Sequence, residues 1–330
     1  IKRLFWRSLV TAAAALSAGA AHAICEILTI TSATPSTVNT GTYTLPATPV
    51  AQLIGITVQG TYLSALGGTC TGAVAFNRAS LPASMAITGG GSATLPYTIQ
   101  SAPGGGNTLL YTGGGLPAAG NRLEFSFNAA VLGVPGNFTV NLNAYALAQP
   151  GALQQAGSYN DNITLDVVGQ LLIIPLKLRS FAFTVIGAIN KGCTINGVVN
   201  PGADTATIPV GAGIVNTSPI ARSYANAACN TPSNLQLTSQ NGAVKTSATV
   251  VPGFSGKIDY SASASFAGAS AALNTASVPT AVGPESGTAA STAGTTPAGT
   301  ISVTITPQAN SQPLLVGTYQ DTLTITITPQ

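Results

Sequence analysis

The feature that constrains this chain most is a two-residue alternation of apolar and polar side chains that recurs along its length. Leu323, Ile325 and Ile327 alternate with threonines, and the same period runs through residues 138–144 and 301–305. Such a period places every second side chain on the same face of a β-strand. Long helical periodicities are absent, and clusters of Gly and Pro separate the alternating segments. The pattern predicts an all-β protein built from β-sandwiches.

The first 23 residues have the pattern of a secretory signal peptide. Lys2, Arg3 and Arg7 form a basic start, an alanine-rich apolar stretch follows at 9–20, and residues 21–23 read Ala-His-Ala, which is typical of a cleavage site. The apolar stretch is too short to cross a bilayer as a stop-transfer helix. The sequence therefore predicts secretion and a mature chain that begins at Ile24.

The composition excludes several classes of function. Three of the 11 basic residues lie in the predicted signal, which leaves eight basic residues against eight acidic ones and a net charge of zero. A neutral chain without a basic run argues against nucleic acid as a partner. The single histidine, His22, also lies in the signal, so Ser-His and Cys-His nucleophilic sites and His-ligated metals are excluded from the mature chain. We expect no cofactor, no metal and no enzymatic activity.

Four cysteines fall as one pair in each half of the chain: Cys25 with Cys70, and Cys193 with Cys229. An even number of cysteines in a secreted chain favours disulfides. We predict pairing within each half over crossed pairings. A metal site is the alternative, but it would need a C-x-x-C pair or histidines, and the mature sequence contains neither.

An internal repeat indicates that the two halves are copies of one domain. Gly-Ser-Tyr-Asn-Asp-Asn-Ile-Thr at 157–164 matches Gly-Thr-Tyr-Gln-Asp-Thr-Leu-Thr at 317–324. The shared positions are Gly157, Tyr159 and Asp161 in the first copy and Gly317, Tyr319 and Asp321 in the second. A weaker echo relates Tyr97 to Tyr260. We predict two immunoglobulin-like β-sandwich domains in tandem, at 24–189 and 190–330, and interpret the repeated tyrosine as a structural corner tyrosine rather than a catalytic group.

The two copies end differently. After its copy of the repeat, the first domain continues into a segment at 178–189 in which Phe181, Phe183 and Val185 share a face. We interpret this segment as a donor-like strand that closes the first domain in cis, with a stiff linker as the alternative. The second domain stops after its copy of the repeat, so we expect it to be incomplete and to lack its last strand. An incomplete sandwich exposes an apolar groove and an unpaired edge, which favours a strand supplied by another chain.

These features together resemble a known family. Cys25 and Cys193 open the two domains, Leu95-x-Tyr97 lies in mid-domain, and the motif Gly-[Ser/Thr]-Tyr-[Asn/Gln]-Asp-x-[Ile/Leu]-Thr lies near the end of each. The combination is similar to the spore coat protein U domain, which is found in pilins of archaic chaperone–usher pili. The resemblance covers most of the mature chain and is most specific at 317–328. It fits poorly at 261–300, where we expect loops and irregular strands.

The resemblance implies a role in fibre assembly. In that family a pilin is an incomplete immunoglobulin-like domain, and the N-terminal strand of the next subunit fills its groove. Because Cys25 directly follows the predicted mature N-terminus, we expect this chain to lack a donor segment and to form the end of a fibre, as a two-domain tip adhesin does. The implied partners are a periplasmic chaperone, an outer-membrane usher, an adjacent pilin that donates a strand, and an abiotic or host surface. The implied location is the pilus tip at the cell surface, and the implied role is attachment in biofilm formation.

The expected binding end of the first domain is the one farthest from the second domain. With strands near 70–76, 95–100, 123–128 and 138–146 arranged as in an immunoglobulin-like sandwich, three apolar connections should meet there. Their candidate surface-binding residues are Leu81, Pro82, Met85 and Ile87, then Val131, Leu132, Val134 and Pro135, and finally Leu171, Leu172, Ile173 and Ile174. The tip adhesins of the family are thought to bind hydrophobic surfaces through such loops. The alternative is that these stretches are buried strands, 171–174 above all.

Two other functions stay open at this point. One is a structural coat or matrix protein of the same domain family without an adhesive tip. The other is a secreted carbohydrate-binding β-protein, which usually presents exposed aromatic side chains. The mature sequence has no Trp, although Tyr could serve. An Asp substitution at Leu172 or Val134 separates the adhesin from the structural protein, since only the adhesin should lose attachment.

Overall fold

The computed structural model describes residues 25–44, 48–64, 67–130, 134–151, 154–171, 174–198, 202–277 and 283–330. Within them the chain forms twenty-five β-strands and two short 3₁₀ turns, at Ala119–Asn121 and Thr275–Ser277, without an α-helix. The predicted all-β class is therefore confirmed. No helix in these residues is long and apolar enough to cross a membrane. The predicted signal peptide at 1–23 lies outside the described residues.

Eleven strands form the first half, residues 25–189. They are β1 (Cys25–Thr34), β2 (Thr37–Tyr43), β3 (Gln52–Ser64), β4 (Gly68–Asn77), β5 (Ser84–Ile87), β6 (Thr94–Gln100), β7 (Leu110–Tyr111), β8 (Leu123–Ala129), β9 (Gly136–Ala148), β10 (Gly157–Leu171) and β11 (Ile174–Ile189). One layer has the antiparallel order β1-β3-β9-β6. In the other layer β10 is central, with β11 and then β2 on one side and with β4 and β5 on the other.

The core of the first half lies between these two layers. Ile54, Ile56 and Val58 alternate along β3 and are fully buried, while the residues between them face outward. From the opposite layer the ring of Phe183 packs edge-on against Phe76, with ring centroids 5.0 Å apart. The two-residue alternation of the sequence therefore becomes an apolar interior and a polar exterior.

Fourteen strands form the second half, residues 193–330. They are β12 (Cys193–Ile195), β13 (Val210–Gly211), β14 (Ile214–Val215), β15 (Ile220–Cys229), β16 (Ser233–Ser239), β17 (Val244–Thr246), β18 (Lys257–Ile258), β19 (Tyr260–Phe266), β20 (Ala269–Asn274), β21 (Glu285–Ser286), β22 (Ala290–Ser291), β23 (Thr296–Pro307), β24 (Tyr319–Gln320) and β25 (Leu323–Pro329). One layer has the order β12-β15-β23-β19-β20. In the facing layer β16 lies between β25 on one side and β21 and β22 on the other.

The second half repeats the plan of the first with a smaller core. Strand β12 pairs with β15 as β1 pairs with β3, and β16 pairs with β25 as β4 pairs with β10. Leu235, Tyr260, Phe266 and Ile301 are the large buried side chains at its centre. In the described part of the chain, strands of each half pair only with strands of the same half.

The stretch 261–300 is more regular than the sequence analysis expected. Strands β19 and β20 pair as an antiparallel hairpin, in which Ala262 and Ala264 face the core and the serines between them face outward. The expectation of irregular strands is wrong for this hairpin because small residues satisfy the same two-residue period that Val and Ile satisfy elsewhere. Residues 278–282 of the stretch lie outside the described residues.

Candidate functional site

The last strand of the second half has a free edge. Strand β25 pairs with β16 from Leu323 opposite Ser239 to Pro329 opposite Ser233. No other strand among the described residues pairs with β25. In the first half, β10 carries the same repeat, and β11 covers its outer edge from Gly157 to Leu171. The strand at the repeat is thus internal to its sheet in the first half and lies at the edge of its sheet in the second half.

The apolar side chains of these two strands differ in burial, just as the two strands differ in whether a neighbouring strand covers their outer edge. The equivalent residues are Ile163, Leu165 and Val167 on β10, all buried, and Leu323, Ile325 and Ile327 on β25, all half-buried. Their sequence alternation is the same, so the difference comes from what covers them. Half-exposed apolar side chains beside an unpaired strand edge form a surface that can accept another strand.

The facing layer of the second half is also open. Strand β15 occupies the place that β3 has in the first half, but its inward-facing Ile220, Arg222 and Tyr224 are only half-buried. Tyr224 belongs to the same apolar cluster as the β25 side chains. Burial, followed by the nearby Asp204 carboxylate, raises the pKa of the Tyr224 hydroxyl above its ordinary value. The half-buried apolar side chains of β25, together with Tyr224 of β15, are called here the β25 groove.

The repeated tyrosines make the hydrogen bond of a tyrosine corner in both halves. The Tyr159 hydroxyl donates to the carbonyl of Gln155 at 2.6 Å, and the Tyr319 hydroxyl donates to the carbonyl of Leu315 at 2.9 Å. In each half the acceptor lies four residues before the tyrosine. This bond fixes the point at which the chain enters its strand. The β24–β25 segment therefore has a fixed starting point, although the outer edge of β25 is free.

The repeated aspartates accept hydrogen bonds from the tyrosines of the weaker echo. The Tyr97 hydroxyl donates to Asp161 at 2.8 Å and the Tyr260 hydroxyl donates to Asp321 at 2.5 Å. Burial, reinforced by the neighbouring carboxylate, raises the pKa of both hydroxyls. Both echoes are visible in the sequence, but the contact between their residues was not predicted. The signal was available, because each half contains one such Tyr and one such Asp.

The predicted donor-like segment 178–189 lies within β11, which begins four residues earlier at Ile174. Phe183 and Val185 are fully buried in the core of the first half, and Phe181 is half-buried against it. Lys177 on the same strand lies 3.3 Å from the buried carboxylate of Asp166 on β10. Strand β11 is therefore a packed member of the sheet.

Each half contains one disulfide, in the pairing that the sequence favours. Cys25 joins Cys70, with Cα atoms 5.2 Å apart, and Cys193 joins Cys229, with Cα atoms 4.2 Å apart. The first disulfide joins β1 to β4, and the second joins β12 to β15. The second disulfide lies at the end of β15, the strand that carries Tyr224 of the β25 groove.

The residues that flank two of the three predicted apolar connections lie at the end of the first half away from the second half. Strands β10 and β11 meet at Leu171 and Ile174, and β8 ends nearby because Ala129 pairs with Gly68. Strand β11 has 16 residues, so about 50 Å of extended chain separates this end from the join. Val134 is 69% exposed there, and Pro135 is also exposed. Val131, Leu132, Leu172 and Ile173, and the side chains of Leu171 and Ile174, lie outside the described part.

The third predicted connection, residues 81–87, lies at the other end, and its assignment to the distal end is wrong. Strand β4 runs antiparallel to β10, so it ends toward the start of β10. Strand β5 then pairs Ile87 with Tyr159, close to the join. Met85 is fully buried and Ile87 packs against the core. Leu81, at 47% exposure, and Pro82 are exposed but belong to the near end.

The contacts of Arg78 explain where that connection lies. Its guanidinium donates to Asp161 at 2.5 Å and to the carbonyls of Ser80 and Ser84 at 2.6 and 2.8 Å. These bonds tie the chain after β4 to the start of β10. The predicted placement used the strand directions of immunoglobulin-like sandwiches, and the sequence contains no signal for this reversal.

Comparisons with known proteins show likeness to pilus proteins at low identity. Neither a protein-family model nor a curated protein sequence matches the chain. The chain resembles one in the CsuC–CsuE chaperone–tip adhesion subunit pre-assembly complex from archaic chaperone–usher Csu pili of Acinetobacter baumannii. It is 11% identical, covers 92% of this chain and 99% of that one, and has a TM-score of 0.37.

Two further solved structures are similar in the same way. A chain from a chaperone–tip adhesin complex of CFA/I fimbriae is 12% identical, with coverage of 90% and 97% and a TM-score of 0.31. The CupB6 tip adhesin from Pseudomonas aeruginosa is 10% identical, with coverage of 84% and 86% and a TM-score of 0.31. With identities and TM-scores this low, these similarities do not establish the family of the chain or its partners, and the spore coat protein U resemblance stays a prediction.

Proposed function

We propose that this chain is the tip adhesin of an archaic chaperone–usher pilus. In this proposal residues 190–330 form an incomplete pilin domain that accepts a strand from the adjacent pilin, and residues 24–189 form a closed adhesin domain. A periplasmic chaperone holds the second domain before an outer-membrane usher exports it to the cell surface. The chain binds and assembles and has no catalytic role.

One observation carries the proposal: the difference between β10 and β25. Strand β10 and the β24–β25 segment share the same repeat, but among the described residues a partner strand covers the outer edge of β10 and none covers that of β25. The half-buried Leu323, Ile325 and Ile327 would become as buried as their first-half equivalents if a strand were added along β25. Full burial of an exposed side chain of this size contributes about 1.5–3 kcal/mol, so completing the burial of a half-buried one contributes about half of that. Unpaired backbone groups of the edge supply the hydrogen bonds that an added strand needs.

Thermal unfolding of the full chain tests strand acceptance. The probe is a synthetic peptide that copies the N-terminal segment of the pilin encoded beside this chain. At about 100 times its Kd the peptide should stabilise the second half by about 2.7 kcal/mol, which corresponds to a rise in Tm of about 10 °C. A peptide with Asp at its alternating apolar positions is the control. No rise with the first peptide would mean that the second half is complete without a partner.

Surface attachment is the second part of the proposal, and we assign it to the distal end of the first half. The candidate residues are Val131, Leu132, Val134, Pro135 and residues 171–174. The support is that Val134 and Pro135 are exposed beside the β10–β11 hairpin, the end of this half farthest along β11 from the join. Insertion of a few apolar side chains into an oily surface gives weak contacts, which many fibres would multiply.

A pair of matched substitutions tests the surface proposal. Val134→Asp should reduce attachment of assembled fibres to a hydrophobic surface, while Leu81→Asp should not, because Leu81 is exposed at the opposite end. Both variants should assemble normally. Equal attachment by the two variants would favour a structural coat or matrix protein over an adhesin.

A further inference from the structure

The second half exposes a cluster of apolar side chains at the end opposite its disulfide. The cluster is called here the apolar pole, and its members are Val210, Ile214, Val250, Val251, Phe254 and Val316. Val316 is 95% exposed and Ile214 is 66% exposed. Contiguous exposed apolar surface on a folded domain marks an interaction site more often than isolated exposed residues do.

Backbone hydrogen bonds bring the three segments of the apolar pole together. Leu314 N donates to the carbonyl of Gly213 at 3.1 Å, Ser255 N to Pro313 at 2.9 Å, and Leu315 N to Ser255 at 3.0 Å. The tyrosine-corner bond from Tyr319 to Leu315 places the pole at the start of β24. Strand β25 then runs away from the pole and ends beside Ser233, close to Cys229. The pole and the disulfide therefore lie at opposite ends of the second half.

The join between the two halves shows what the equivalent end of the first half contacts. Ala156 precedes Gly157 as Val316 precedes Gly317. The amide of Ala156 donates to the carbonyl of Asn230, the residue after Cys229, at 2.9 Å. Asn230 is buried, and its side chain also bonds Gly192 N at 2.8 Å and the carbonyl of Asn190 at 2.9 Å. This end of the first half thus docks on the disulfide end of the domain that follows it.

Strand direction places the same type of contact at the apolar pole. Strand β11 runs antiparallel to β10, ends opposite Gly157, and leads directly into Cys193. A strand added to β25 in the same direction would end opposite Gly317. The domain that follows the added strand would then lie against Val316, as the second half lies against Ala156.

One connection differs between the two ends in a way that fits a covalent and a non-covalent junction. The β5–β6 connection of the first half contains Gly89, Gly90 and Gly91, whereas the equivalent β17–β18 connection contains Val250, Val251 and Phe254. Domains in one chain stay together at a high effective concentration without strong contacts. A junction between two chains has no such help and depends on buried apolar surface.

We propose that the apolar pole is a docking surface for the disulfide end of an immunoglobulin-like domain in the strand-donating subunit. This inference rests on the proposed function, since the donated strand brings that domain to the pole. The strand in the β25 groove and the domain on the pole are two separate contacts with the same partner. The second contact slows dissociation of the whole subunit beyond what the strand alone achieves.

Dissociation rates measured by surface plasmon resonance test this proposal with the full chain and two probes. One probe is the pilin encoded beside this chain, with its own groove filled by a fused copy of its donor strand. The other is the synthetic peptide of its N-terminal strand. The whole pilin should dissociate more slowly than the peptide. Val316→Asp should speed dissociation of the pilin about tenfold, because it places a charge in an apolar contact, and should leave the peptide unchanged.

Ile214→Ser, a second variant in the pole, should act in the same direction, and Val198→Asp is the control. Val198 is exposed in the same half but pairs with Ile195 near the disulfide, so it should affect neither probe. If Val316→Asp and Ile214→Ser leave both rates unchanged, or change them equally, the pole is not a docking surface and strand acceptance stands. If neither probe binds the unsubstituted chain, both proposals fall. A dimer of the chain alone that Val316→Asp dissociates would assign the pole to a second copy instead.

Discussion

Strands β10 and β25 are the most informative comparison in this molecule. Strand β10 begins with the Gly-x-Tyr-x-Asp repeat and β25 comes directly after it, and each has a tyrosine corner at the repeat. Strand β10 pairs with the strand that contains Cys70, and β25 pairs with the strand that follows Cys229. Strand β10 is internal because β11 covers it, and β25 is an edge. The repeat therefore fixes where the strand starts and which neighbour it takes on one side. Whether the sandwich is closed depends on a different segment.

Opening the first half should have the largest effect on this comparison. Phe183→Ala removes a fully buried ring of β11 and should lower the free energy of unfolding of the first half by about 3–5 kcal/mol. The second half should unfold as before. Calorimetry with two resolved transitions measures both, and Ala182→Ser, on the exposed face of the same strand, is the control. A loss below about 1 kcal/mol would show that β11 does not hold the first half closed.

The same truncation at equivalent positions of the repeat should cost different amounts. Leu165→Ala should destabilise the first half by about 2–5 kcal/mol, whereas Ile325→Ala should cost the second half less than half as much, because Ile325 is only half-buried. Urea unfolding measures both. When the strand peptide is bound, the cost of Ile325→Ala should rise toward that of Leu165→Ala. Equal costs without the peptide would contradict the open groove.

The tyrosine–aspartate pair should matter equally in the two halves. Tyr97→Phe and Tyr260→Phe each remove one hydrogen bond to a repeat aspartate and should each cost about 1.5–3 kcal/mol, because the acceptor is a carboxylate. Arg78→Met should destabilise only the first half, where Arg78 holds Asp161. If Tyr97→Phe costs several times more stability than Tyr260→Phe, the contribution of this hydrogen bond depends on whether the sandwich is closed and not on the repeat.

High pH should weaken both halves gradually, with the smallest effect of the four. Burial raises the pKa of Tyr97 and of Tyr260, so the unfolded chain loses these protons first. Their stabilising contribution is present below the unfolded pKa of about 10 and is lost as pH rises above it. Urea unfolding between pH of about 8 and about 11 should show this decline. Tyr97→Phe should flatten the slope for the first half only, and an unchanged slope would contradict the assignment.

Local patterns in the sequence predicted much of the fold. The alternation gave the all-β class, and the placement of the cysteines favoured the pairing that the structure contains. The shared face of Phe181, Phe183 and Val185 indicated a strand where β11 lies. The strand predictions succeed because the inward face of a strand is encoded by residues two positions apart. The disulfide prediction succeeds because each half contains two cysteines.

The distal site was predicted less well because its geometry depends on strand direction. Residues 81–87 have the same apolar character as residues 131–135, but β4 runs opposite to the expected direction, so residues 81–87 and the exposed Val134 lie at opposite ends. Met85 fills the core and does not reach the surface. Composition alone could not distinguish an apolar segment that packs in the core from an apolar segment that is exposed.

By itself the sequence determined the strands, their inward faces, the repeat that starts β10 and β25, and the absence of histidine chemistry from residues 24–330. Tertiary structure alone decided which edge is covered, which apolar connections share an end, and which apolar side chains gather into the β25 groove and the apolar pole. The physical reason is that side-chain alternation is a local property with a period of two residues. Burial depends on which distant strand lies alongside, and that is settled only when the layers pack.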